Sequence, residues 1–180
     1  MIKTKVITIA SVSGGGKTAV TEELRKRLST SEALYFDKYD FEGAPDDLVK
    51  WVEDGPDYNQ WNLEPLIADL ESILEREEPP AYIIIDYPFS YKNDKLKEFI
   101  DLSIYIDTPL DIAMARRILR DHPKTTSIEI NDELNYYLKF GRGAYLEMGN
   151  AIKPNSDCIV DGTLKIVDIV DAILHKIETL

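Results

Sequence analysis

The strings AYIIID (81–86) and DLSIYID (101–107) constrain the fold more than any other feature of this chain. Each is a short apolar run closed by an acid. A strand with one wet face alternates apolar and polar residues, whereas a continuous run fits a strand buried on both faces in the middle of a parallel sheet. KVITIA (5–10), EALYF (32–36) and DCIV (157–160) are further strand candidates.

The segments between these strands carry helical spacing. KTAVTEELRKRLST (17–30) places Val20, Leu24 and Leu28 at i, i+4 and i+8, and NLEPLIADLESILEREE (62–78) sets Leu63, Leu66, Ile67, Leu70, Ile73 and Leu74 on one face before Pro79-Pro80 ends it. PDDLVKWVEDG (45–55) reads as a helix with a proline start and a glycine stop, and DKLKEFI (94–100) as a short helix. PLDIAMARRILRD (109–121) is a helix gathering Arg116, Arg117 and Arg120 at its end, HPKTTSIEI (122–130) has no clear period and reads as a loop, and NDELNYYLKFGRGAYLEMGNAI (131–152) is a long helix interrupted at Gly141 and Gly143. LKIVDIVDAILHKI (164–177) closes the chain. Strands separated by helices throughout predict an α/β fold, a central five-stranded parallel sheet with helices on both faces. At 180 residues and 44% hydrophobic content, residues 1–180 make one domain.

With 21 basic against 33 acidic side chains, the formal net charge of −12 repels polyanions, so neither nucleic acid nor an anionic membrane surface is an expected partner. A small phosphorylated ligand remains compatible, provided backbone N–H groups and a few cations are concentrated at one place. Cys158 is the sole cysteine, which excludes an internal disulfide and a cysteine metal cluster and fits a reducing compartment. The apolar run near the N-terminus is too short for a signal-peptide core or a membrane span, so a cytoplasmic location is expected. Helices could pair the chain into a homo-oligomer, but no feature of the sequence supports one.

SVSGGGKT (11–18) lies between the first strand and the first helix. It nearly spells the phosphate-binding loop G-x-x-x-x-G-K-[ST], with Ser11 at the first glycine position. Such a loop works because successive backbone N–H groups point inward and the following helix presents its positive dipole end. Gly14, Gly15 and Gly16 stand where a Cβ would obstruct the backbone, Lys17 would reach the β- and γ-phosphates, and Thr18 would ligand Mg²⁺. Nucleotide contacts are thus expected from Ser13, Gly14, Gly15, Gly16, Lys17, Thr18 and Ala19. Ser11 needs only ordinary backbone angles, and its hydroxyl can add a hydrogen bond. A plain strand-to-helix turn is the alternative, and the position of the motif at the start of an α/β chain opposes it. Asp86, at the tip of YIIID, fits the acid that accompanies Mg²⁺ beside such a loop, or else caps a turn.

From residue 94 onward, DKLKEFIDLSIYIDTPLDIAMARRILRD resembles the uridine kinase family of P-loop kinases, in which a strand "hhhVDT" leads to a helix carrying "RRhxRD". LNYYLKFGRGAYLEMGNAIKPNSDCIVDG is similar to that family's segment after the lid, and YFDKY to its aspartate followed by aromatics. Taken with the loop motif, the resemblance spans nearly the whole chain. It implies a P-loop NTPase fold with a short lid at about 121–131, and transfer of the γ-phosphoryl of ATP-Mg²⁺ to a hydroxyl of a small acceptor, a uridine- or cytidine-like nucleoside. Asp37 matches the family's general base and joins Thr18 and Asp86 on the metal side; Asp40 is its rival. A carboxylate is needed there because an alcohol must lose its proton as the new bond forms. Arg116 is matched to the nucleotide, and Arg117 and Arg120 to the transferring phosphoryl, while at least one of the three belongs to a solvated basic helix end. Tyr39, Tyr58 and Trp61 could line an acceptor pocket, and Lys124 is the expected lid cation.

The chain departs from the family at three places. HPKTTSIE offers only Lys124 and His122 where the family has a basic "RGR"-like lid, YNQWNLEP (58–65) replaces an "N-F-D-H-P" stretch, and Asp86-Tyr87 replaces "EG". These changes fall mostly on the acceptor side, so kinase chemistry is better supported than uridine itself. A regulator that binds nucleotide without transfer, and an NTPase whose acceptor is water, remain alternatives.

Overall fold

The computed structural model describes residues 3–123 and 126–179. Strands β1 (Lys5–Ala10), β2 (Ser31–Tyr35), β3 (Tyr82–Asp86), β4 (Leu102–Asp107) and β5 (Cys158–Asp161) form one sheet in the order β2-β3-β1-β4-β5, with every pairing parallel. The two apolar runs are β3 and β4, the strands on either side of β1.

Helices α1 (Lys17–Arg27), α2 (Leu48–Glu53), α3 (Glu64–Leu74), α4 (Leu110–Asp121), α5 (Ser127–Tyr136), α6 (Arg142–Glu147) and α7 (Ile166–Ile177) complete the chain. Strand side chains alternate between two cores. Val6, Ala10, Ile83, Ile85 and Tyr105 meet Leu66, Ile67, Leu70 and Ile73 of α3 on one face; Ile7, Ile9, Ile84, Ile104 and Ile106 meet Val20 and Leu24 of α1 and Ile169, Val170 and Ile173 of α7 on the other. Both faces of the sheet are buried, which is why consecutive strand positions are apolar. Truncating a fully buried member such as Ile84 to alanine costs about 2–5 kcal/mol.

Several element boundaries differ from the sequence expectation. The expected loop over 122–130 is already helical from Ser127, because Thr126 and Glu129 form a reciprocal capping box. Of the stretch 121–131 expected as a lid, Asp121 ends α4 and the residues from Ser127 belong to α5, while Lys124, its expected cation, lies outside the described residues. The long helix expected over 131–152 is continuous rather than broken at its glycines, with π-helical turns at Tyr137–Gly141 and Met148–Ile152 on either side of α6. Asp47, not Pro45, starts α2, its carboxylate accepting from Val49 N at 2.9 Å and Lys50 N at 3.1 Å. The stretch 94–100 yields only a 3-10 turn, Leu96–Phe99.

Because every strand runs the same way, the C-terminal strand ends gather on one edge of the sheet. The β1–α1 loop, Asp37 just past β2, and Asp86 at the end of β3 all lie there.

Candidate active site

The loop after β1 is built by close contacts that only glycine tolerates. Gly14 has φ +77°, and a Cβ on it would stand 2.1 Å from the Ala113 carbonyl oxygen. A Cβ on Gly15 would stand 1.8 Å from Ser11 Oγ. Ser11 is buried and its hydroxyl donates to the Ile106 carbonyl at 2.8 Å, tying the loop to β4. Thr108 braces the same turn from the other side, donating to the Gly15 carbonyl at 2.9 Å. Gly16 caps α1 with φ +102°, without a side-chain cap and with no acidic residue in the first turn. The first N–H groups of α1 therefore point outward uncompensated, a fit for phosphate oxygens.

A cleft of about 590 Å³ opens over this loop, lined by Val12, Ser13, Gly14, Gly16, Lys17, Thr18, Ala19, Glu22, Asp37, Arg116 and Arg120. Thr18 Oγ1 donates to Asp86 Oδ2 at 2.6 Å, and Lys17 Nζ stands 3.6 Å from Asp86 Oδ1. Asp86 is only 4% exposed, so these two partners compensate a charge that would be costly to bury alone. Among the described residues no three His, Cys, Asp or Glu side chains converge to hold a metal by themselves. Thr18 and Asp86 suit a Mg²⁺ ion whose remaining ligands come from phosphate oxygens and water.

Asp37 follows β2 in the 3-10 turn Phe36–Lys38 and lines the cleft, while Asp40 does not. The arginines of α4 divide by face. Arg116 and Arg120, one turn apart, reach the cleft, with Arg116 Nη1 donating to the Gly162 carbonyl at 3.2 Å. Asp121, foremost through a hydrogen bond, holds the Arg120 guanidinium above its usual pKa, and the charge of Asp37 adds the smallest contribution. Arg117 is not among the residues lining the cleft. Its guanidinium stands 2.6 Å from Glu133 and donates to Tyr145 Oη at 2.9 Å, binding α4 to α5 and α6. Of the two arginines expected at the transferring phosphoryl, the structure brings Arg120 to the cleft and Arg117 to the helix interface.

The aromatic candidates are also sorted. Tyr39 Oη donates to Asp69 of α3 at 2.8 Å and its ring stacks on Phe41, so it borders the cluster instead of lining the cleft. Tyr58, 8% exposed, packs edge-on to Trp51 and Phe89 and donates to Glu147 at 2.8 Å, a core position rather than a pocket wall. Trp61 stands in the same cluster with Phe36 and Phe89. Beside the Asp37 turn this cluster holds Trp51 Nε1, Trp61 Nε1 and Tyr87 Oη, buried polar atoms without a partner among the described residues.

Glu22 lines the cleft and was not among the sequence candidates. It lies four residues beyond Thr18 on α1, the spacing of one helix face, which was the signal available for it.

No family model matches the chain. Among curated proteins, the uridine kinases of Staphylococcus haemolyticus (strain JCSC1435) and Staphylococcus aureus (strain JH9) are each 28% identical to it, covering 100% of this chain and 98% of their own. Among solved structures, an unliganded sugar kinase from Janibacter sp. HTCC2649 superposes with a TM-score of 0.60 at 13% identity, over 97% of this chain and 95% of that one. Deoxyadenosine kinase from M. mycoides with bound dATP gives 0.56 at 19% identity, over 97% and 99%. The chain thus has the fold of the P-loop small-molecule kinases.

Proposed function

We propose that this protein is an ATP-dependent phosphotransferase that moves the γ-phosphoryl group to a hydroxyl of a small molecule, with a nucleoside as the favoured acceptor. One observation carries the proposal: a glycine-built phosphate cradle with Lys17 and Thr18 and an opposing carboxylate at Asp37 with Arg116 and Arg120 border a single cleft, and the buried strand-end carboxylate of Asp86 contacts both Lys17 and Thr18. An anion-binding loop alone would serve a binding protein. A carboxylate facing that loop from the next strand supplies what transfer needs besides.

The roles follow from position. Backbone N–H groups from Gly14 to Thr18 hold the phosphates, and Lys17 neutralises charge on the β- and γ-oxygens. Thr18 and Asp86 would hold Mg²⁺, which when bound would neutralise phosphate charge. Asp37 accepts the proton of the acceptor hydroxyl as that oxygen attacks phosphorus. Arg120, and Arg116 beside it, stabilise the charge spread over the transferring group, where fixed forked donors need no reorganisation. Arg117 positions α5 and α6 against α4. The aromatic cluster next to Asp37 is packed as core, so the nucleoside is favoured on other grounds. The uridine kinase relatives support the same choice of acceptor.

The test is ADP production from ATP-Mg²⁺ against a panel of nucleosides, sugars and small alcohols. An acceptor from the nucleoside group should raise the rate at least tenfold over the basal value, and Asp37→Asn and Lys17→Ala should abolish the increase, each by about 100-fold or more. A rate that no acceptor changes contradicts transfer to a small molecule.

A further inference from the structure

Thr18 and Glu22 share one face of α1, and their partners stand side by side on neighbouring strands. The Thr18 hydroxyl donates to Asp86 at the end of β3, and the Tyr35 hydroxyl, at the end of β2, donates to Glu22. Tyr35 and Asp86 are themselves register partners in the β2–β3 ladder. Two parallel ties thus join the helix of the phosphate loop to the tips of two strands.

The tie through Tyr35 lies immediately before the turn that carries Asp37. Tyr35 caps the 3-10 turn Phe36–Lys38, and Phe36 is clamped among Phe41, Trp61, Tyr87 and Phe89. Lys38 Nζ stands 4.3 Å from the centre of the Tyr35 ring. Asp37 itself is exposed, and among the described residues its carboxylate has no hydrogen-bond partner, so its place is set by its neighbours.

Glu22 is otherwise hard to account for. A carboxylate on the wall of a cleft built for polyphosphate repels its ligand, so its presence calls for a compensating task. We infer that Glu22 and Tyr35 are a positioning pair for the general base: their hydrogen bond holds the Asp37 turn at one distance from the phosphate loop. The inference rests on the assignment of Asp37 as that base. Burial, and then the Glu22 carboxylate, push the Tyr35 phenol up to about 12, while the phenol's hydrogen bond holds the Glu22 carboxyl below its usual range. Phenol therefore remains the donor and carboxylate the acceptor across the neutral range. A shift of about 1 Å in a catalytic group can cost on the order of 100-fold in rate, so losing this tie should be felt in the chemical step.

A double-mutant cycle on the full chain tests this, with kcat and the KM for ATP measured for phosphorylation of the best acceptor. Tyr35→Phe removes only the hydroxyl and should lower kcat about tenfold, with the KM for ATP within about twofold of wild type. Glu22→Ala should lower kcat comparably, and Glu22→Ala combined with Tyr35→Phe should be no worse than the poorer single variant. Glu22→Gln, whose amide oxygen still accepts the phenol proton, should stay within about threefold of wild type. A Tyr35→Phe enzyme within twofold of wild-type kcat overturns the inference, as do losses that multiply in the double variant. Asp37→Asn is the separating arm. If it retains transfer, the base assignment fails and this inference with it; if it loses transfer while Tyr35→Phe does not, only the positioning role fails.

Discussion

Ser11 stands where the phosphate-loop pattern has glycine, and its hydroxyl occupies the space beside Gly15 while donating to the Ile106 carbonyl. Ser11→Gly removes one buried hydrogen bond and should cost about 1 kcal/mol in thermal or denaturant unfolding. Its effect on ATP affinity, by calorimetric titration, should stay within about threefold, because the cradle runs from Gly14 to Thr18. Gly15→Ala should do the reverse, since its Cβ would stand 1.8 Å from Ser11 Oγ and 2.8 Å from the Val12 carbonyl oxygen; ATP binding should be lost. The arginines of α4 make a second contrast. Arg120→Ala should cut kcat by about 100-fold with little change in melting, whereas Arg117→Ala should act mainly on melting, because it unties Glu133 and Tyr145. The meeting of Lys17, Thr18 and Asp86 was legible in the sequence because their positions follow from a local motif and a strand end. The division among Arg116, Arg117 and Arg120 was not legible, because spacing allows either the i, i+3 or the i, i+4 pair and only the packing of α5 and α6 chooses between them.

Elements were legible where burial dictates them and obscure where a cap does. β3 and β4 read directly from their apolar runs, and α3 from its stripe of Leu66, Ile67, Leu70 and Ile73, since each buries those residues in a core. The start of α5 was missed although TTSIE carries the T-x-x-E capping signature, because its first turns are exposed and show no apolar period. Thr126→Ala should weaken this helix start by about 1 kcal/mol. Amide hydrogen exchange should then quicken over residues 127–130, and the protection of β1 and β3 should not change. The π-helical turns beside α6 leave no mark in the sequence beyond Gly141 and Gly143, which read as interruptions. A π turn keeps the helix continuous while shifting its face, and a pattern search for a constant period does not register that.

At the scale of the whole molecule, a net charge of −12 is compatible with the proposed nucleotide cleft because the attraction would be local: a helix start without a side-chain cap, Lys17, Arg116 and Arg120. Phenols dominate the alkaline limit. Burial foremost raises Tyr35, Tyr39, Tyr58, Tyr87, Tyr91 and Tyr105 above the ordinary value of 10.0, and Tyr35 reaches about 12. A raised folded value means that the folded chain keeps its phenol proton longer than the unfolded chain. The stabilisation from Tyr35 is therefore complete below pH 10 and lost as the pH passes through about 12. Melting temperatures should fall over that interval, with tyrosinate absorbance appearing later than in the unfolded protein; a phenolate titration centred at pH 10 for all ten tyrosines contradicts this. The central claim is that the phosphoryl group passes to an acceptor hydroxyl and not to water, and the fate of the label from γ-labelled ATP tests it most directly. With a nucleoside acceptor present, the account predicts label in the nucleoside monophosphate in step with ADP, and its loss in Asp37→Asn. Label released only as inorganic phosphate, at one rate with or without acceptor, contradicts it.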